Sequence, residues 1–308
     1  MKAMIFAAGL GTRLRPLTDT MPKALVPVGG KPLLLRVVEK LKDAGFDDLV
    51  INVHHFADMI EDYVRANGNF GVKVAFSDER DLLRDTGGGI LHARNLLLGD
   101  KAPDMSTSSC VEVESEAGAE ATDGFFLVHN VDIISNLDIR WFCSQARQEA
   151  LAVLLVSGRQ SSRYLLFDDS MRLVGWTNVR TGEVKSPYRD LDVSKCHRYA
   201  FSGIHLVSDR IFGAMTDGSV QPLPLSYQPV DSAVHPAFHV TETMFPERSA
   251  AADSETGMQC PFGDSFSIID FYLSAAASYS ICGVLAPSSF TLTDVGKPET
   301  LTSFDGKR

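Results

Sequence analysis

Residues 4–28 read MIFAAGLGTRLRPLTDTMPKALVPV. Met4-Ile5-Phe6 is an apolar run that empties directly into a glycine turn, Gly9-Leu10-Gly11-Thr12, which carries Arg13, and Lys23 follows ten residues later. A buried strand opening into bare backbone amides beside two permanent cations suits a polyphosphate, because N–H groups and positive charge converge on one anion. Gly9 and Gly11 are expected to take positive φ and bring the backbone close to the anion, and Thr12 adds a hydroxyl donor. Strand, glycines, arginine, three prolines and lysine fall in one short window, a coincidence that an incidental charged loop does not require.

Outward from this loop the chain alternates between two periodicities. Leu34, Val37, Val38 and Leu41 have helical spacing and predict an amphipathic helix over 32–45, with a proline at its start and a glycine at its end. The unbroken β-branched run at 49–53 predicts a strand covered on both faces. Helices follow at 58–66, 89–98 and 138–149, and strands at 72–76, 125–129 and 151–157. Strand-helix alternation of this kind predicts an α/β sandwich with a mostly parallel central sheet and helices on both faces. In such sheets ligands bind beyond the carboxyl ends of the strands, where the Gly9 loop emerges. Two stretches break the rhythm: 100–124 is acidic and without periodicity, and 218–264 is crowded with proline, serine and acidic residues. Both are expected to be surface insertions in a single domain spanning 1–308. A helix at 266–277 and strands at 281–285 and 290–294 close the chain. No hexapeptide repeat of a C-terminal β-helix is visible.

A length of 308 residues and a hydrophobic content of 44% describe an ordinary globular core. The net charge of −10 argues against nucleic acid as a partner. Nucleotides remain compatible with it, because a few local cations set the field that a phosphate feels. The five cysteines, Cys110, Cys143, Cys196, Cys260 and Cys282, are scattered and form no CxxC pair, so reduced thiols in a cytoplasmic protein are expected. The N-terminus does not have the build of a signal peptide, and no run approaches the ~18 apolar residues of a membrane span.

Two common phosphate motifs do not fit. Position 14 is leucine, where a dinucleotide fingerprint needs its third glycine, and Gly11-Thr12-Arg13 stands where a Walker loop needs Gly-Lys-Ser/Thr. The pattern Gly-x-Gly-Thr-Arg-Leu-x-Pro-Leu-Thr over 9–18, then Pro22-Lys23 and Leu25-x-Pro27-Val28, resembles instead the signature of the sugar-1-phosphate nucleotidyltransferases. Within that family it is most similar to the N-acetylmuramate-1-phosphate uridylyltransferases and the mannose-1-phosphate guanylyltransferase-like proteins. The resemblance implies a Rossmann-like, three-layer GT-A-like fold. It implies a reaction in which a sugar 1-phosphate attacks the α-phosphorus of a nucleoside triphosphate and releases pyrophosphate.

Site residues follow from that resemblance position by position. Ala8, Gly9, Gly11, Thr12 and Arg13 match the nucleotide loop, with Arg13 gripping the triphosphate and Lys23 holding the α-phosphate and the sugar phosphate. Thr86, Gly87 and Gly88, in Asp85-Thr86-Gly87-Gly88-Gly89, match the segment beside the nucleobase. Asn52, with His54 near it, Asn130, Ser202 and Gly203 are candidates for the substrate pocket. Asp132 lies just past the 125–129 strand, although the family usually has Gly-Asp where this chain has Val131-Asp132. Asp294, in Thr293-Asp294-Val295-Gly296, matches a late family aspartate. Together these two carboxylates would hold one Mg²⁺ through hard oxygen ligands. The family's Glu-Lys-Pro run before Phe201-Ser202-Gly203 is missing, and 178–185 (NVRTGEVK) stands in its place, so sugar identity stays open. His129 and His205 sit in apolar runs and are expected to be core histidines. A cytidylyltransferase acting on phosphocholine and a non-catalytic nucleotide-sugar-binding homologue remain alternatives. A homodimer is expected only by analogy with relatives.

Overall fold

The computed structural model describes residues 1–99, 124–223, 260–296 and 300–301. The chain opens on β1 (Ala3–Phe6), passes three short 3₁₀ turns and the ribbon of β2 (Pro27–Val28) with β3 (Lys31–Pro32), and enters α1 (Leu33–Asp43). Then come β4 (Asp48–Val53), α2 (Ala57–Ala66), β5 (Lys73–Asp78) and the helices α3 (Asp85–His92) and α4 (Arg94–Leu98). The chain returns through β6 (Phe125–Asn130), β7 (Ile133–Ser135), α5 (Ile139–Cys143) and β8 (Ala150–Ser157). An antiparallel meander follows, β9 (Arg163–Phe167), β10 (Leu173–Asn178) and β11 (Glu183–Lys185), and then the long β12 (His197–Ser208). The last elements are α6 (Ile211–Thr216), α7 (Ile268–Ala275), β13 (Ser280–Leu285) and β14 (Leu292–Asp294).

Ten strands make one mixed sheet with the order β11-β10-β9-β12-β6-β1-β4-β5, and β8 joins β12 and carries β13. The central strands β6, β1, β4 and β5 are parallel. Beyond β6 the sheet turns antiparallel at β12, whose residues 205–207 pair with both β6 and β8 while 197–199 pair with β9. The register of β12 against β8 slips between Phe201 and His205, where Gly203 takes φ 73°.

Side-chain alternation makes the sandwich. Ile5, Leu49, Ile51 and Leu127 point into a core with α1, α2 and α5. Met4, Val50, Val128 and Leu154 point the other way, into a core with α3, α4, α6 and α7. The strands are therefore apolar on both faces, and three layers result.

Two expected helices differ in extent. The helix expected at 138–149 stops at Cys143 because Ser144 Oγ donates to the Trp141 carbonyl and the amides of Gln145 and Ala146 bond only three residues back. The helix expected from Gly89 begins at Asp85, with Gly87, Gly88 and Gly89 inside it. Most of the two expected insertions, 100–123 and 224–259, lies outside the described residues. Among the described residues no helix is long and apolar enough to cross a membrane.

Candidate active site

The register at β1 sets the geometry. Phe6 pairs with Asn52 on one side and with Asn130 on the other, so the two asparagines stand level at the carboxyl ends of β4 and β6. From β1 the sheet extends to β4 on one edge and β6 on the other, and this reversal leaves a crevice at the strand ends. A cleft of about 410 Å³ opens there, and Ala8, Gly9, Lys23, Asn52, Thr86, Asn130 and Asp132 all line it. Residues from four separate stretches of sequence thus meet around the loop that follows β1.

Asn52 is 2% exposed, and both polar atoms of its side chain are hydrogen-bonded. Its Oδ1 accepts from the backbone N–H groups of Ala7 (2.7 Å) and Ala8 (3.2 Å), while its Nδ2 donates to Glu79 Oε1 at 2.8 Å. Glu79 is completely buried, lines the cleft, and accepts from the Arg84 N–H through its other oxygen at 3.1 Å. Asn52 therefore braces the first two residues of the loop against a buried carboxylate. Ala8 presents to the cleft without its amide, which is already taken. Sequence reasoning missed Glu79; an acidic residue directly after the strand β5, at the same end as Asn52, was the available signal. His54 Nδ1 lies 2.6 Å from the Glu79 carbonyl, an acceptor that fixes the proton on that nitrogen.

The opposite wall is charged. Lys23 forms an ion pair with Asp132 in which both side chains are largely covered. Asp294 reaches the same place because β14 pairs with β7, with Asp294 opposite Ile133, the neighbour of Asp132. Gly296 reports how tightly these groups converge. A Cβ there would lie 2.9 Å from Asp294 Oδ1, 2.9 Å from Lys23 Nζ and 3.0 Å from Asp132 Oδ2. The two carboxylate oxygens can then be no more than about 6 Å apart, with the ammonium beside them. Among the described residues no cluster of three or more His, Cys, Asp or Glu side chains forms a metal cage. Two carboxylates and no more suit Mg²⁺, which takes one or two protein carboxylates and completes its shell with substrate phosphates and water.

The remaining candidates divide between the cleft and its surroundings. Gly11 takes φ 65° and packs against Thr18, whose Oγ1 donates to its carbonyl; Gly9 is not among the positive-φ glycines. Thr12 and Arg13 form an exposed 3₁₀ turn beyond the cleft lining, and among the described residues Arg13 makes no ion pair. Thr86 faces the cleft while its Oγ1 accepts from the Ile268 N–H at 2.9 Å. Gly87 and Gly88 turn away from the cleft: a Cβ on either would lie 2.3 Å from Phe266 or from the Asp264 carbonyl. Gly203 abuts Asn130, whereas Ser202 is fully buried with its hydroxyl unpartnered. His129 and His205 are core residues at 0% and 2% exposure. Burial pushes the first down to about 4 and the second to about 3.

Comparison with known proteins places this geometry in context. A family described as nucleotidyl transferase matches residues 2–163, just over half of the chain. An N-acetylmuramate alpha-1-phosphate uridylyltransferase of Caulobacter vibrioides is 50% identical over 97 residues, 31% of this chain and 40% of that protein. One of Neisseria meningitidis is 39% identical over 138 residues, covering 42% of this chain and 60% of its own length. A mannose-1-phosphate guanyltransferase of Schizosaccharomyces pombe is 41% identical over 115 residues, 37% of this chain and 31% of its own. The chain thus matches less than two thirds of the length of each of these relatives. Among solved structures, a UDP-glucose pyrophosphorylase complexed with UDP-glucose superposes with a TM-score of 0.62 at 14% identity, covering 99% of this chain and 97% of that one. At that identity the likeness speaks for the fold alone.

Proposed function

Since the chain belongs to the nucleotidyl transferase family, we propose that it joins a nucleoside triphosphate to a sugar 1-phosphate and releases pyrophosphate. The observation that carries this reading is the convergence of Asp294 with Lys23 and Asp132, the ion pair that lines the cleft opened by the β1 loop. Attack of one phosphate oxygen on another phosphorus needs no protein nucleophile; it needs two polyanions aligned and their repulsion neutralised. The loop after Ala8 offers its backbone N–H groups and Arg13 to the triphosphate. Lys23 holds the α-phosphate and the incoming sugar phosphate. Asn52 and Glu79 keep the loop in register with β1, and Thr86 lines the wall nearest the nucleobase. Asn130, at the carboxyl end of β6, faces the incoming sugar, with Gly203 packed behind it. Asp132 and Asp294 would hold Mg²⁺, which when bound neutralises phosphate charge and orients the reacting oxygens.

The substrates favoured for the first trial are UTP with N-acetylmuramate α-1-phosphate, on the strength of the two uridylyltransferases among the relatives. The test is pyrophosphate release across the nucleoside triphosphates paired with sugar 1-phosphates and phosphocholine, with and without Mg²⁺. Metal-dependent release with a sugar 1-phosphate is expected, and its loss in Asp132→Asn with an unchanged melting temperature. Release with no pair would overturn the reading; release with phosphocholine alone would replace the sugar by an amino-alcohol phosphate.

A further inference from the structure

The ammonium assigned to the phosphates is the one already seated on the carboxylates. Lys23 Nζ pairs with Asp132 Oδ2, and both lie about 3 Å from the single point that a Gly296 Cβ would occupy, as does Asp294 Oδ1. Asp294 Oδ1 also accepts from the Gly296 N–H at 2.9 Å, which fixes that oxygen. The lysine and aspartate side chains are only 12% and 15% exposed, so solvent screens the arrangement poorly. Two carboxylates this close repel each other, and a nearby cation relieves that repulsion. A divalent cation arriving while Nζ stays in place would meet positive charge at close range.

We propose that Lys23 is the resident counter-cation of the Asp132–Asp294 seat, and that metal and phosphate enter by exchange. The ammonium leaves Asp132 for a phosphate oxygen as the divalent cation takes up the carboxylates. Lysine suits such an exchange because its charge is compact and its stem rotates freely, whereas an arginine fork would hold Asp132 bidentately. Metal and phosphate then bind with positive coupling, and the coupling is reciprocal. Without phosphate the ammonium keeps the seat closed to the metal. The proposal rests on the metal reading above, and the experiment separates the two.

Mn²⁺ binding is measured by electron paramagnetic resonance of the free ion for the wild type, Lys23→Met and Asp132→Asn, with and without pyrophosphate. Lys23→Gln serves as a second neutral variant, and melting curves confirm that each protein is folded. Without pyrophosphate, both Lys23 variants should bind Mn²⁺ at least about tenfold more tightly than the wild type. Pyrophosphate should tighten Mn²⁺ binding to the wild type far more than to the variants. Equal Mn²⁺ affinity of wild type and variants without pyrophosphate would overturn the exchange and leave the metal seat standing. If no protein retains Mn²⁺ under any condition, the metal reading falls and the exchange falls with it.

Discussion

Asn52 shows how one side chain in the cleft lining can serve a site by bracing its backbone. Its carbonyl oxygen holds the Ala7 and Ala8 amides and one N–H of its amino group holds Glu79, so both polar atoms of the side chain engage the scaffold. Asn52→Ala would strand two amides and one end of a buried carboxylate, at a cost of roughly 1–3 kcal/mol. Asn52→Asp keeps the acceptor for the amides but sets a second carboxylate against Glu79, so one of the two must hold a proton. Urea unfolding at pH 7.5 and 5.5 checks both. Asn52→Ala should be destabilised by a similar amount at either pH, and the deficit of Asn52→Asp relative to wild type should shrink at the lower one. Wild-type stability in Asn52→Ala would remove the brace from the account. The residue type and position were legible in the sequence, at the end of an apolar strand, but the role was not. A strand-end asparagine reads equally as a ligand contact or a buried partner until its neighbour across the sheet is known.

The same divide separates elements that declare themselves from those that tertiary packing decides. Helix α1 and strands β4, β6 and β8 were legible because their apolar periodicity is strong and uninterrupted. Strands β9, β10 and β11 are short, mix polar with apolar residues and pair antiparallel, so no local signal sets them apart from loop. The meeting of Asp132 with Asp294 depends on the ribbon of β7 and β14, which brings together segments far apart in sequence. Helix α3 is the reverse case. Three consecutive glycines argue against a helix, since each costs about 1 kcal/mol relative to alanine. They are used here because the segment preceding α7 must pass against the helix backbone, and the amides of Gly87 and Gly88 both donate to the Phe266 carbonyl. Gly88→Ala would drive a methyl to 2.3 Å from the Asp264 carbonyl oxygen, a backbone atom with nowhere to go. A loss of about 1–3 kcal/mol is expected from such overpacking, outweighing the gain in helix propensity. A melting temperature at or above that of wild type in Gly88→Ala would show that the 264–266 segment can yield.

At the scale of the whole molecule, the sheet is thick enough in apolar cover to keep ionisable groups neutral. His205 lies between the rings of Phe201 and Tyr272 with both nitrogens unpartnered, and His129 donates from Nδ1 to the Asn130 carbonyl with Nε2 unpartnered. Desolvation dominates both shifts, which take His129 down to about 4 and His205 to about 3. In the unfolded chain both histidines titrate near 6.5. Between pH 6.5 and about 4 the unfolded state therefore binds two protons that the native state refuses. Stability is at its full value above pH 6.5 and falls as the pH drops through that window. By pH 5 each histidine should account for a loss of about 2 kcal/mol relative to pH 7.5. His205→Leu keeps a side chain of similar bulk and removes one of the two protons from the balance. Urea unfolding at both pH values should show the variant losing about 2 kcal/mol less than wild type on acidification, whatever its absolute stability. A drop identical to that of wild type would mean that His205 does not stay neutral in the native sheet, and that the acid sensitivity lies with the carboxylates instead.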